Sequence, residues 1–135
     1  MLEPGRDWRA WTLYDREPVE CWTDSRVAPL GDAAHPMLQY AAQGACQTVE
    51  DAAVLSELLR GHPAGFVQLL EKYSAPRRKR TARVQLVARE MGSRLYHAAS
   101  SARTERNTML SALSAGAMCD KVAWLREAAP LVRAR

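Results

Sequence analysis

No run in this chain reaches the roughly 18 consecutive apolar residues that a membrane span requires, so no bilayer-crossing segment and no membrane partner is expected. The first eight residues, Met1 to Trp8, lack the basic-then-apolar pattern of a secretory leader. Cysteine is scarce and odd in number: Cys21, Cys46 and Cys119 are far apart and form no CxxC pair. That spacing excludes a disulfide framework and a structural zinc site, and a reduced cytoplasmic setting follows. His35, His62 and His97 do not fall at metal-ligand spacing with one another or with a cysteine, so no metal is assigned. There is no repeat of solenoid period and no low-complexity linker.

What is present fits one modest globular unit. The chain has 135 residues, 47% hydrophobic and 25% charged, with 19 Lys and Arg against 15 Asp and Glu, a formal charge of +4. The balance is uneven along the chain. Residues 1–60 hold 5 cations and 10 anions, whereas residues 61–106 hold 10 cations and 3 anions. Such polarity provides either a basic face for an anionic partner or two halves that complement each other.

The first 30 residues read as short strands and turns. Trp8–Tyr14 is rich in β-forming aromatic types, Val19–Thr23 is a second extended piece, and Arg26–Leu30 is an apolar run that stops at Gly31-Asp32. From residue 45 onward the periodicity is helical. Ala45, Val49, Ala52, Ala53, Ser56 and Leu59 share one small, apolar stripe, with Gln47, Glu50, Asp51 and Glu57 mostly off it. Gly61 and Pro63 end this helix. A second helix is expected from near Pro63 through Tyr73, broken or kinked at Pro76. A third fits residues 77–96, with Val84, Val87, Ala88, Met91 and Leu95 as its apolar face. Two more fit Arg103–Leu113 and Met118–Glu127. The chain is therefore mostly α, with a few short N-terminal strands that cannot complete a sheet alone.

The stretch from Arg26 to Ala52 carries the chemistry: a strand ending in Gly31-Asp32, an irregular loop, then Gly44 opening a helix. Gly31 permits close approach to the backbone. Asp32 is placed either to accept hydrogen bonds from a sugar hydroxyl or to cap a turn. The free N–H groups of Gly44, Ala45 and Cys46 favour an electron-rich or anionic group. Cys46 at this helix start reads as a small packing residue, and His35 as a loop histidine with no acid identifiable beside it. The tryptophans read as core and edge packing. Arg77, Arg78, Lys79, Arg80 and Arg83 form a charge run with no aromatic residue interleaved. It is read as a solvated helix or a face for an acidic partner domain, and no nucleic-acid partner is assigned.

The run Gly31-Asp32-Ala33-Ala34-His35-Pro36, followed by Gln43-Gly44 and Glu50-Asp51-Ala52, closely resembles the GD motif of class A FAD-dependent aromatic monooxygenases, the salicylate, hydroxybenzoate and hydroxynicotinate hydroxylase group. Trp11–Arg16, Pro18 and Trp22 upstream resemble the same enzymes. So do Tyr73, Arg77, Arg80, Arg83, Val84, Leu95-Tyr96-His97 and Arg106-Asn107 downstream. The resemblance implies an α/β fold by family, the chain being the C-terminal piece of a Rossmann-like FAD-binding domain: residues 1–60 would end that domain and residues 61–135 form a helical region. It also implies FAD as cofactor, with Gly31 and Asp32 at its ribityl or ribose portion and the backbone of Gly44, Ala45 and Cys46 at the flavin's pyrimidine edge. A helix start there would favour reduced flavin by about 0.3–2 kcal/mol. Pro36, Met37 and Gln39 would border the substrate side, and no catalytic residue is assigned. The reaction implied is hydroxylation of a small aromatic acid with NAD(P)H and oxygen.

Three departures stand out. The family's G-x-G-x-x-G fingerprint is absent, Pro29 replaces an aliphatic residue, and Gln39 stands where the loop usually has proline. A chain lacking the pyrophosphate-binding element is expected to be inactive alone. Its expected partners are the flavin, the aromatic acid, and either a second copy or a complementing N-terminal chain. The alternative is a non-catalytic helical interaction or dimerisation module with a basic face.

Overall fold

The computed structural model describes residues 7–61 and 65–127. His62 and Pro63, with the expected turn and second-helix start, lie outside the described residues. Single 3-10 turns cover Gly31–Ala33 and Gln39–Ala41. Helix α1 then spans Gly44–Gly61 and helix α2 spans Phe66–Met91, continuing into a π turn over Gly92–Tyr96. Helices α3 (Ser100–Ser111) and α4 (Ala115–Arg126) complete the described chain. Ser114 caps α4 by accepting a hydrogen bond from the Ala117 N–H at 3.1 Å.

The expected strands are not formed. Among the described residues the only strand-like pairing is an isolated antiparallel bridge, Asp24 with Val27, closed by bonds of 3.0 and 2.9 Å. A strand is stabilised by a neighbour that accepts its ladder, and among the described residues no second extended segment lies beside residues 26–30. One substitute is a side chain: the Tyr73 hydroxyl donates to the Pro29 carbonyl at 3.2 Å.

Pro76 does not break the helix. Helix α2 runs through it without interruption. An interior proline forfeits one backbone hydrogen bond and costs about 3 kcal/mol. The flanking turns offset that cost by burial, since Leu69, Leu70, Tyr73, Arg77 and Thr81 are all buried. Leu69, Leu70 and Tyr73 join Trp22, Ala34, Val54 and Leu58 in a single hydrophobic cluster. The core thus sits between α1, α2 and the loop that precedes α1.

Helix α1 faces the opposite way from its apolar periodicity. Gln47, Asp51, Val54 and Leu58 are buried, while Ala45, Val49, Ala52, Ala53 and Leu59 are exposed, Val49 to 69% and Leu59 to 52%. The hydrophobic effect would orient this helix the other way. Polar partners on α2 reverse it.

Candidate functional site

Asp51 and Glu50 anchor those partners. The Asp51 carboxylate is fully buried and accepts three hydrogen bonds: from the Gly31 N–H at 3.1 Å, from His35 Nε2 at 2.7 Å and from Arg77 Nε at 2.6 Å. Arg77, 1% exposed, also donates to the Gln47 carbonyl at 3.0 Å, to Gln47 Oε1 at 2.8 Å and to Glu50 Oε2. Arg80 adds two bonds to Glu50, at 2.7 and 2.9 Å. Every donor of the Arg77 fork used here meets an oxygen of α1, which is the arrangement that makes a buried charge tolerable.

The titration of these carboxyls follows from that geometry. Burial alone would raise both. For Asp51 the bonds from His35, Arg77 and the Gly31 N–H, with the Arg77 charge, outweigh burial and hold it below its ordinary value. For Glu50 the bonds from Arg80 and Arg77 and their charges do the same. An ionised Asp51 requires His35 to donate from Nε2. His35 Nδ1 is buried with no partner among the described residues. The Tyr73 hydroxyl is raised well above its usual range by burial and by the Asp51 charge.

This network clamps the loop before α1 from behind. Arg16 donates to the carbonyls of Ala33 at 2.7 Å and Ala34 at 3.0 Å. Gln85 of α2 donates to the Pro36 carbonyl at 3.0 Å and the Arg16 carbonyl at 3.3 Å. Tyr40 is hydrogen-bonded to His97, and its ring lies 5.2 Å from that of Tyr96. A Cβ on Gly92 would come 2.5 Å from the Tyr40 ring, so glycine is required where the π turn passes it. Gly31 itself sits at φ +61°, against Thr48.

The front of the loop is open. Asp32 and Gln39 are exposed, as are Ala45 and Cys46 at the start of α1, with Gly44, Pro36 and Met37 half-buried. The Asp32 side chain has no hydrogen-bond or ion-pair partner among the described residues, so it caps nothing. The structure thus joins Gly31, Asp32, Pro36, Met37, Gln39, Gly44, Ala45 and Cys46 in one rigidly backed loop and helix start.

Four residue readings are corrected. Cys46 is exposed and packs no core. His35 does have an acid beside it, Asp51, contributed from 16 residues away. Trp8 and Trp11 are exposed, leaving Trp22 as the core tryptophan. Arg77 and Arg80 point inward, and Arg83 lies 3.8 Å over the Trp124 ring, so the basic run has an aromatic partner after all and is largely engaged within the fold. The Arg77–Asp51 pairing escaped sequence reading. Its only local signal was Glu50-Asp51 on a helix whose other polar residue, Gln47, shares the same side.

No family model matches the chain. It is 45% identical over 120 residues to 3-hydroxybenzoate 6-hydroxylase 2 of Aquipseudomonas alcaligenes, covering 89% of this chain and 37% of that protein. It is 36% identical over 95 residues to 6-hydroxynicotinate 3-monooxygenase of Bordetella bronchiseptica, covering 67% of this chain and 24% of that one. The solved structure of a salicylate hydroxylase substrate complex superposes with a TM-score of 0.69 at 30% identity, over 85% of this chain and 28% of its own.

The chain belongs to the class A aromatic monooxygenase family.

It spans 37% and 31% of the lengths of two 3-hydroxybenzoate hydroxylases that it matches. Its mostly helical structure is the corresponding portion of an α/β enzyme fold, and the family is flavin-dependent. No helix among the described residues is long and apolar enough to cross a membrane.

Proposed function

We propose that this chain supplies one wall of the FAD site in an aromatic ring hydroxylase, residues 1–60 ending the flavin domain and residues 61–135 forming a helical region that braces it. The observation that carries the reading is the contrast at the loop: its back is held by Arg16, Asp51, Gln85 and His97, while the Asp32 carboxylate on its front has no partner among the described residues. An acceptor without a partner among the described residues, beside the free N–H groups of Gly44, Ala45 and Cys46, suits a ligand that presents both hydroxyl donors and an electron-rich edge. A ribityl flavin is such a ligand.

In that role Asp32 accepts hydrogen bonds from the sugar hydroxyls, and the N–H groups at the start of α1 stabilise negative charge at the pyrimidine edge. When bound, FAD supplies the redox chemistry that takes electrons from NAD(P)H and delivers oxygen to the ring of a small aromatic acid. Pro36, Met37 and Gln39 border the substrate and exclude water from it. The Tyr40–His97 contact and Gly92 keep that loop in place. The rest of the site comes from the part of the relatives' length that this chain does not span. No hydroxylation is expected from the 135 residues alone.

The experiment is a titration of FAD with the purified chain, read by flavin fluorescence and the visible absorption band. Saturable quenching that Asp32→Ala weakens about tenfold, without NAD(P)H oxidation, is the expected result. Quenching indifferent to Asp32, or none at all, removes the proposed site. Substantial NAD(P)H oxidation in the presence of an aromatic acid removes the statement that the chain is inactive alone. Against the reading as a module with a basic face stands the pairing of Arg77, Arg80 and Arg89 with Asp51, Glu50 and Asp15 within the fold.

A further inference from the structure

Helices α3 and α4 carry apolar side chains but no buried residue. A helix in a folded protein draws most of its stability from packing an apolar face, and here those faces turn onto a cleft rather than a core. The cleft lies between the end of α2, the π turn, α3 and α4, and its volume is about 440 Å³. That falls within the range of roughly 300–1,000 Å³ usual for small-molecule sites. Close-packed interiors leave few voids larger than a water molecule. Filled by solvent, this one keeps the apolar surface of Leu95, Leu110 and Leu113 wet, which is unfavourable. None of the residues assigned to the flavin or to its substrate side lines the cleft.

We infer that this cleft is a binding site for an aromatic carboxylate, separate from the flavin loop and independent of the function proposed above. Two features of the lining select that chemistry. The first is sulfur: Met91, Met109 and Met118 reach the same space from three different helices, with Trp124 beside them. Thioethers make favourable contacts with the edges of aromatic rings, and the unbranched side chains adapt to a flat guest. The second is charge. Glu90 and Arg94 neutralise each other across 2.7 Å. That leaves the Lys121 ammonium as the uncompensated charge of the lining, with no hydrogen-bond or ion-pair partner among the described residues. One anionic group on an otherwise apolar ring satisfies both features. A cation meets the wrong charge, and an aliphatic acid matches the lysine but forgoes the sulfur–ring contacts.

The chain has five methionines, and Met37 belongs to the loop before α1, so spectra of chain labelled with carbon-13 at the methionine methyls read both places at once. Titration with 2-naphthoate should move the Met91, Met109 and Met118 resonances saturably and leave Met37 where it was. Lys121→Gln should weaken that binding about tenfold. Its thermal midpoint should match wild type, because Lys121 is exposed. The neutral 2-naphthamide should bind wild type and variant alike, at the weaker level. Decanoate should bind at least about tenfold more weakly than 2-naphthoate. Absence of a saturable shift in the three methyls, shifts led by Met37, binding indifferent to Lys121, or decanoate binding as tightly as 2-naphthoate would each overturn the inference. So would movement of the same methyls when the chain alone is concentrated, with a dimer seen by sedimentation, because a second copy would then fill the cleft. The flavin reading is tested separately, by the dependence of FAD quenching on Asp32.

Discussion

Asp51 and Arg77 are buried charges held in place by each other and by their remaining hydrogen bonds. Truncating one leaves the other desolvated without its counter-charge, which typically costs about 3–5 kcal/mol. Arg77→Ala should lower stability in urea by that order. Arg77→Lys should recover only part of it, because an ammonium cannot reproduce the fork that reaches Asp51, Glu50 and Gln47 together. Full recovery in the lysine variant would show that charge alone matters. Gly31 offers a second residue-level test. Its φ of +61° makes any side chain strained by about 1–2 kcal/mol, and a Cβ there would meet Thr48 Oγ1 at 3.0 Å. Gly31→Ala should therefore destabilise, and in a Thr48→Ala background the penalty should shrink towards the backbone part. An equal penalty in both backgrounds would show that Thr48 simply moves aside.

At the level of elements, α2 tolerates Pro76 because tertiary contacts hold the turns on either side of it. Restoring the backbone N–H with Pro76→Ala should stabilise the protein by up to about 3 kcal/mol, read as a higher urea midpoint. A loss of stability would mean that α2 needs its proline. The same helix shows where sequence reading succeeds and fails. Gly44 and Gly61 mark α1 correctly because start and stop signals are local. Its buried side does not follow from the apolar stripe, because hydrophobic periodicity cannot see an arginine 26 residues away that pulls Asp51 inward. The segments 8–14, 19–23 and 26–30 look like strands by residue type, yet a ladder is a property of two segments. The Gly31–Cys46 segment was legible as a local loop-and-helix unit from its glycines, its acid and the helix after it. The parts that clamp it were not, since Arg16, Gln85 and His97 belong to three distant segments.

For the whole molecule, the acid side of the stability curve follows from Asp51 and Glu50. Both carboxyls titrate lower in the folded chain than their ordinary values of 3.8 and 4.5. The folded state therefore binds fewer protons than the unfolded one across that interval. Their contribution is complete above the ordinary values and is lost as pH falls through the depressed folded ones. Urea midpoints should be flat down to about pH 5 and fall below it, with a shallower fall in Asp51→Asn. Midpoints that rise on acidification would contradict the network as the source.

Arg80 gives the tail of the protein a say in this balance. Besides Glu50 it donates to the carbonyls of Trp124 at 3.2 Å and Leu125 at 3.1 Å, in the last turn of α4. One guanidinium thus closes the C-terminal end of one helix and neutralises a carboxylate of another, next in sequence to the residue that holds Gly31. Trimming the chain after residue 126 leaves that closure whole. Trimming before residue 124 frees Arg80 from it and removes the ring on which Arg83 rests, so the surroundings of Glu50, a residue of α1, are set in part by a helix at the far end of the chain.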